Sequence, residues 1–151
     1  MSAILIRHVN LLIVTFLIAL SMMLTETSGQ YSYLVSSTEF EIFRDGVVRI
    51  VQTLYVNETA PSISLTLFSR YAENILVLDQ DSMPLSYELL NPPNMTIITL
   101  GVFKVTTDYL ASDLTTKEGN LWTFKVYTPY NATISLPSQS SLTEQVDIFN
   151  S

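Results

Sequence analysis

Beyond residue 30 the chain repeats one theme: short runs of alternating apolar and polar side chains, separated by residues that favour turns. Because alternate side chains of a pleated strand point to opposite faces, each run predicts a half-buried β-strand rather than a helix. Phe40 and Ile42 alternate with Glu39 and Glu41, and Asp45-Gly46 follows, a two-residue hairpin signal. The return run 47–56 places Val48, Ile50, Leu54 and Val56 on one parity, with Gln52 interrupting the series. Ile63, Leu65 and Leu67 alternate with Ser62, Ser64 and Thr66. Residues 75–78 are continuously apolar, which predicts a strand buried on both faces.

The second half continues the pattern. A turn over residues 79–84 leads into Leu85, Tyr87 and Leu89, and Asn91-Pro92-Pro93-Asn94 turns again into Met95, Ile97 and Ile98. Phe103, Val105, Thr107 and Tyr109 share a face, and a polar loop is expected over residues 112–120. Trp122, Phe124 and Val126 form the next run, with Trp122 expected in the core; Ala132, Ile134 and Leu136 form the one after it. Prolines fall between runs, where strand ends tolerate them. Eight or nine short strands with a turn every 8–12 residues predict an all-β, Ig-like antiparallel β-sandwich over residues 30–137. Residues 138–151 read as a Ser-rich link with a short terminal strand around Val146 and Ile148.

The first thirty residues break the pattern. Arg7 and no acid precede an apolar stretch at residues 11–24, and small polar residues follow. A basic start, an apolar centre and a small-residue exit make a secretory signal peptide over residues 1–29, with Thr27 and Gly29 small enough to precede the cut and Gln30 as the mature N-terminus. The alternative is an uncleaved anchor helix. At 1.5 Å per residue, however, the apolar stretch falls short of a hydrocarbon core of roughly 30 Å, and extending it backwards buries Arg7. The expected location is therefore extracellular or at the cell surface, with contact to a membrane only through this helix if it is retained.

Composition narrows the chemistry. The formal charge is −7, and one Arg and one Glu leave together with the signal, so the mature domain stays acidic. Acidity without clustered Lys and Arg disfavours nucleic acid as a partner. There is no Cys, and the single His, His8, lies in the signal segment. Catalysis by Ser-His-Asp or Cys-His groups and zinc sites of the usual kind then lack their side chains, and no cofactor is expected. A disulfide-free exported domain is more typical of prokaryotic surfaces, and it must hold together by its core.

Candidate sites are few. Asn57-Glu58-Thr59, Asn94-Met95-Thr96 and Asn131-Ala132-Thr133 are glycosylation sequons, each at a predicted turn or strand edge. Asp79, Asp81 and Ser82 resemble the start of a calcium loop, but the Gly and distal Glu of that motif are missing, and an ordinary turn is the expectation. Glu39, Glu41, Glu88 and Asp108 are the carboxylates from which a glycoside hydrolase pair would be drawn, yet the first three sit on the polar parity of their strands. Tyr31, Tyr33, Tyr55, Tyr71, Tyr127 and Tyr130 fall outside the clean core parity and are candidates to stack on sugars or anchor a partner.

Several segments together carry a resemblance: residues 43–47, residues 79–87, residues 114–124, Thr128-Pro129-Tyr130-Asn131-Ala132-Thr133, and Leu136-Pro137. They resemble the extracytoplasmic β-sandwich of archaeal membrane proteins, in which an N-terminal signal precedes the ectodomain and a transmembrane helix and cytoplasmic winged helix often follow. The resemblance implies an Ig-like archaeal surface domain without catalytic residues. No second apolar segment or winged helix follows residue 137, so the expectation is a free-standing relative or the front piece of a longer protein. The leading functional expectation is a non-enzymatic interaction domain that binds an envelope protein or a surface glycan. The alternatives are a structural subunit of an envelope layer or filament, joined by strand addition, and a two-carboxylate hydrolase.

Overall fold

The computed structural model describes residues 33–138; the predicted signal segment and the predicted strand around Val146 and Ile148 lie outside the described residues. Ten strands follow one another: β1 (Tyr33–Ile42), β2 (Val48–Val56), β3 (Ser62–Thr66), β4 (Glu73–Leu78), β5 (Tyr87–Asn91), β6 (Asn94–Ile98), β7 (Lys104–Ala111), β8 (Thr115–Glu118), β9 (Leu121–Phe124) and β10 (Ala132–Ser135). They form a five-stranded sheet of order β10-β1-β2-β7-β4, a three-stranded sheet of order β3-β6-β5, and the β8-β9 hairpin. The described protein is thus all-β, in mostly antiparallel sheets. Among the described residues no helix is long and apolar enough to cross a membrane.

The alternating runs supply the core. Val48, Ile50, Leu54 and Val56 of β2, Phe40 and Ile42 of β1, and Val105, Tyr109 and Ala111 of β7 are buried. They join Ile63 and Leu65 of β3 and Met95 and Ile97 of β6 in one apolar cluster. Each such side chain contributes roughly 1.5–3 kcal/mol by leaving water, which is how a domain without disulfides stays folded.

One irregularity decides which β1 residues join that cluster. Opposite β2 the register shifts between Val35 and Ser37, so Ser36 is an extra residue and a β-bulge. Because the side-chain period is two, one extra residue inverts the parity. Phe40 and Ile42 point inward at even positions, whereas Tyr33 and Val35 pack against the core at odd ones.

The structure differs from the sequence expectations at five places. The all-antiparallel expectation fails at one edge, where β10 runs parallel to β1 with Thr38 beside Ala132 and Glu41 beside Ser135. The stretch 75–78 is not buried on both faces: β4 is an edge strand, with Val77 buried and Leu76 exposed. Asp45-Gly46 does not form a two-residue loop. The Phe43 N–H donates to Val47 O at 2.8 Å and the Gly46 N–H to Phe43 O at 3.0 Å. The loop therefore holds three residues, with Gly46 at φ +88° in its left-handed position. The expected polar loop over 112–120 contains β8, which pairs with β9.

Trp122, expected in the core, is 38% exposed. Its ring covers Gly46, and the Lys117 ammonium lies 5.0 Å from the ring centroid. The Thr115 hydroxyl donates to Gly46 O at 2.5 Å. The β8-β9 hairpin thus packs on the β1–β2 turn, and Phe124 at its end meets Phe40 with ring centroids 5.4 Å apart.

Candidate functional site

A row of polar side chains crosses the inward face of the five-stranded sheet. Thr38 pairs with Gln52 across β1 and β2, and Gln52 pairs with Thr107 across β2 and β7. All three are buried, at 1%, 2% and 0% relative exposure. Directly opposed side chains lie about 4.5–5.5 Å apart at Cβ, so the three form one contiguous polar strip within an apolar core. Thr38 Oγ1, Gln52 Oε1 and Thr107 Oγ1 have no hydrogen-bond partner. An unsatisfied buried group of this kind costs about 1–3 kcal/mol, so three in register demand an explanation beyond packing.

Gln52 lines a cavity of about 520 Å³. One wall is Leu65, Leu67 and Phe68, from β3 and the loop after it. The other wall comes from Leu114 and the stretch that leaves β9, including Val126 and Pro129. Three tyrosines complete the lining: Tyr33, turned inward by the Ser36 bulge, with Tyr127 and Tyr130 from the β9–β10 connection. Among the described residues, Lys125 is the charged residue of the lining and no carboxylate contributes to it.

Local hydrogen bonds fix these segments. The Phe68 N–H donates to the Tyr109 hydroxyl at 3.1 Å, and the Phe68 ring stacks edge-on against Phe40 at 5.1 Å. The buried Ser69 hydroxyl donates to Asp113 Oδ1 at 2.5 Å and accepts from the Tyr71 N–H at 2.9 Å, which ties the β3–β4 loop to the chain leaving β7. On the opposite wall the Lys125 N–H donates to Leu114 O at 3.1 Å. The Tyr130 N–H donates to the Thr128 hydroxyl and that hydroxyl to Tyr130 O, each at 3.1 Å. Burial pushes the Tyr33 phenol above its ordinary pKa, and the Tyr130 phenol adds to the shift.

The other candidates lie elsewhere. Asn57 accepts from the Thr59 N–H at 3.0 Å and from the Thr59 hydroxyl at 2.8 Å, in an exposed turn after β2. Asn94, exposed at the start of β6, accepts from the Thr66 hydroxyl at 3.0 Å, and Asn131 is exposed just ahead of β10. Glu41 and Asp108 both reach Arg49 on the outward face, at 3.5 and 2.5 Å, while Glu39 and Glu88 are exposed. Asp79 Oδ1 accepts from the N–H groups of Asp81 and Met83, each at 2.8 Å, and so serves its own turn. Among the described residues no group of three or more His, Cys, Asp or Glu side chains is placed to hold a metal.

Sequence reasoning singled out Tyr33, Tyr127, Tyr130 and the anomaly at Gln52, but it did not bring them together. The signal for the site was Gln52 on an otherwise apolar parity. Comparison of the chain with protein-family models, with curated proteins and with solved structures finds no match.

Proposed function

We propose that the protein is an exported, non-enzymatic surface domain that binds a glycan in the cavity floored by Gln52. The single observation behind this reading is a cavity lined by three tyrosines and by Gln52, a polar residue on an otherwise apolar face. At about 520 Å³ the cavity falls within the roughly 300–1,000 Å³ usual for small-ligand sites. Tyrosine rings offer apolar faces to the C–H side of a sugar, while the side-chain amide of Gln52 is a hydrogen-bonding group for its hydroxyls. The three sequons, the secretory pattern of residues 1–29 and the resemblance to archaeal ectodomains support a cell-surface setting and an Ig-like sandwich build. The decisive experiment is a glycan array probed with the purified protein beside its Gln52→Leu variant. Retention of glycans by the parent and their loss from the variant is the expected result; a parent that retains none overturns the reading.

A second reading rests on β5, an edge strand exposed along its whole length, Leu89 and Leu90 included. Unpaired edges of this kind template strand addition, as the subunit of an envelope layer or filament requires. Sedimentation over a wide concentration range tests it, and a protein that remains monomeric throughout excludes it.

A further inference from the structure

We infer that Asn57 is the residue of the folded protein that carries an N-linked glycan, and that strand pairing closes Asn94 and Asn131 to the transferase although all three sequons are Asn-x-Thr. The inference goes beyond the glycan-binding reading of the cavity and rests on that reading only for export. A transferase must grip the Asn amide and the hydroxyl two residues on, which is why modified sequons lie in surface loops. Asn57, Glu58 and Thr59 are all exposed and lie in the connection between β2 and β3. The Thr59 N–H can only donate, so the amide atom 3.0 Å from it is Oδ1, and the Thr59 hydroxyl donates to the same oxygen at 2.8 Å. Both bonds fall on the oxygen, and Nδ2, the atom that is glycosylated, takes part in neither. The Ala60 N–H donates to Asn57 O at 2.8 Å and the Thr99 hydroxyl to Ala60 O at 2.7 Å, which holds the turn in place.

The other two sequons are taken up in sheets. Asn94, Met95 and Thr96 all belong to β6, paired with β3 on one side and β5 on the other. Met95 is fully buried, so offering this tripeptide to an enzyme would draw β6 out of the core. Ala132 and Thr133 pair with Thr38 and Glu39 along β1, which holds the hydroxyl end of the third sequon. The cavity points the same way. Tyr130, next to Asn131, and Thr66, whose hydroxyl bonds Asn94, both line it, whereas among the described residues none from 57 to 61 does. A glycan on Asn57 therefore grows from a turn that contributes nothing to the cavity. In the transfer Asn57 Nδ2 bonds to C1 of the sugar as the C1–O bond of a polyprenyl-phosphate-linked donor breaks. The phosphate leaves with the electron pair, and the amide nitrogen gives up one proton.

The test supplies a polyprenyl-linked oligosaccharide and a single-subunit oligosaccharyltransferase to the purified folded protein and to peptides spanning each sequon, with modified sites read by mass spectrometry. All three peptides should accept the glycan. In the protein Asn57 should accept it as its peptide does, while Asn94 and Asn131 should react more slowly than theirs by about tenfold or more. Asn57→Gln should remove the glycan, and circular dichroism should show the parent's fold. Transfer to Asn94 or Asn131 in the folded protein at the peptide rate, or none at Asn57 where its peptide accepts, overturns the inference. Because donor and enzyme are supplied, this outcome is independent of export. Export is read separately in the host, where a protein that keeps residues 1–29 and stays inside the cell overturns that reading and leaves the choice of Asn57 standing.

Discussion

The Tyr109 hydroxyl, at the buried end of a β7 side chain, accepts a hydrogen bond from the Phe68 backbone N–H at 3.1 Å. It thereby ties the central part of the five-stranded sheet to the loop that follows β3 of the other sheet. Phe68 in turn presses on Phe40 and lines the cavity. Substituting Tyr109→Phe keeps the ring and orphans that N–H. The expected cost is about 1–2 kcal/mol, read from the midpoint of a urea titration.

Tyr109 also sets an alkaline limit. Burial raises its pKa, and the nearby Asp113 charge raises it further, against the opposing pull of the Phe68 N–H. An unfolded tyrosine loses its proton near pH 10, so below that value both states are protonated and stability is undiminished. Above it the unfolded chain releases a proton that the folded one still holds. Stability therefore falls as pH rises beyond about 10, by up to about 1.4 kcal/mol per pH unit for this group. Urea titrations between pH 8 and pH 11 should show that slope, and Tyr109→Phe should flatten it; Tyr33, raised for the same reason, contributes what slope remains.

Gly46 is required twice over. Its φ of +88° suits no β-carbon, and a β-carbon placed there would fall 2.1 Å from the Trp122 ring. Gly46→Ala is expected to cost more than the roughly 1–2 kcal/mol of a left-handed alanine, because the ring must also shift. Trp122 fluorescence should move to the red as the β8-β9 hairpin lifts. In a double-mutant cycle with Trp122→Ala the clash component should vanish and the backbone component remain.

The strands were legible because a period of two survives in the sequence wherever one face is buried. Val48, Ile50, Leu54 and Val56 announced β2, and Ile63 and Leu65 announced β3. What was not legible was anything that depends on a neighbour. Leu76 belongs to a continuous apolar run, yet it is exposed because it pairs with Asp108 on the outward face of the sheet. Trp122 has the parity of a core residue, but among the described residues the strand that carries it pairs with β8 alone, outside the two larger sheets. Tyr33 was out of phase with Phe40 until the bulge at Ser36 supplied the missing residue. The site was half visible, since Gln52 stood out as a polar residue on an apolar face. Its alignment with Thr38 and Thr107 follows from strand register, which no local pattern encodes.

On the outward face Arg49 joins three strands, with its Nε 2.9 Å from Asp108 Oδ1 and an Nη 3.5 Å from Glu41. The Asp108 interaction is the dominant one and raises the guanidinium pKa, although the group stays largely exposed. Asp108→Asn should therefore cost more than Glu41→Gln, and neither more than about 1 kcal/mol. Both effects should shrink in roughly 1 M salt, where screening reaches within about 3 Å. A difference that persists at high salt would point to packing rather than charge.

The sharpest separation of function from stability lies at Gln52. If the amide existed to hold the sheets together, its oxygen would have a partner, and Gln52→Leu would destabilise the fold. The oxygen has none, and its neighbours Thr38 and Thr107 carry unpartnered hydroxyls of their own. Replacing a buried unsatisfied amide by an apolar side chain of similar length removes a penalty of about 1–3 kcal/mol and adds apolar contacts. Gln52→Leu is therefore expected to raise the urea midpoint while abolishing sugar binding, and Thr107→Val to raise it without that loss, because Gln52 lines the cavity and Thr107 does not. Stability given up at a binding residue by keeping it polar is what a site under functional demand would show. A Gln52→Leu variant less stable than the parent would place the amide in the architecture of the fold and take from the cavity its polar floor.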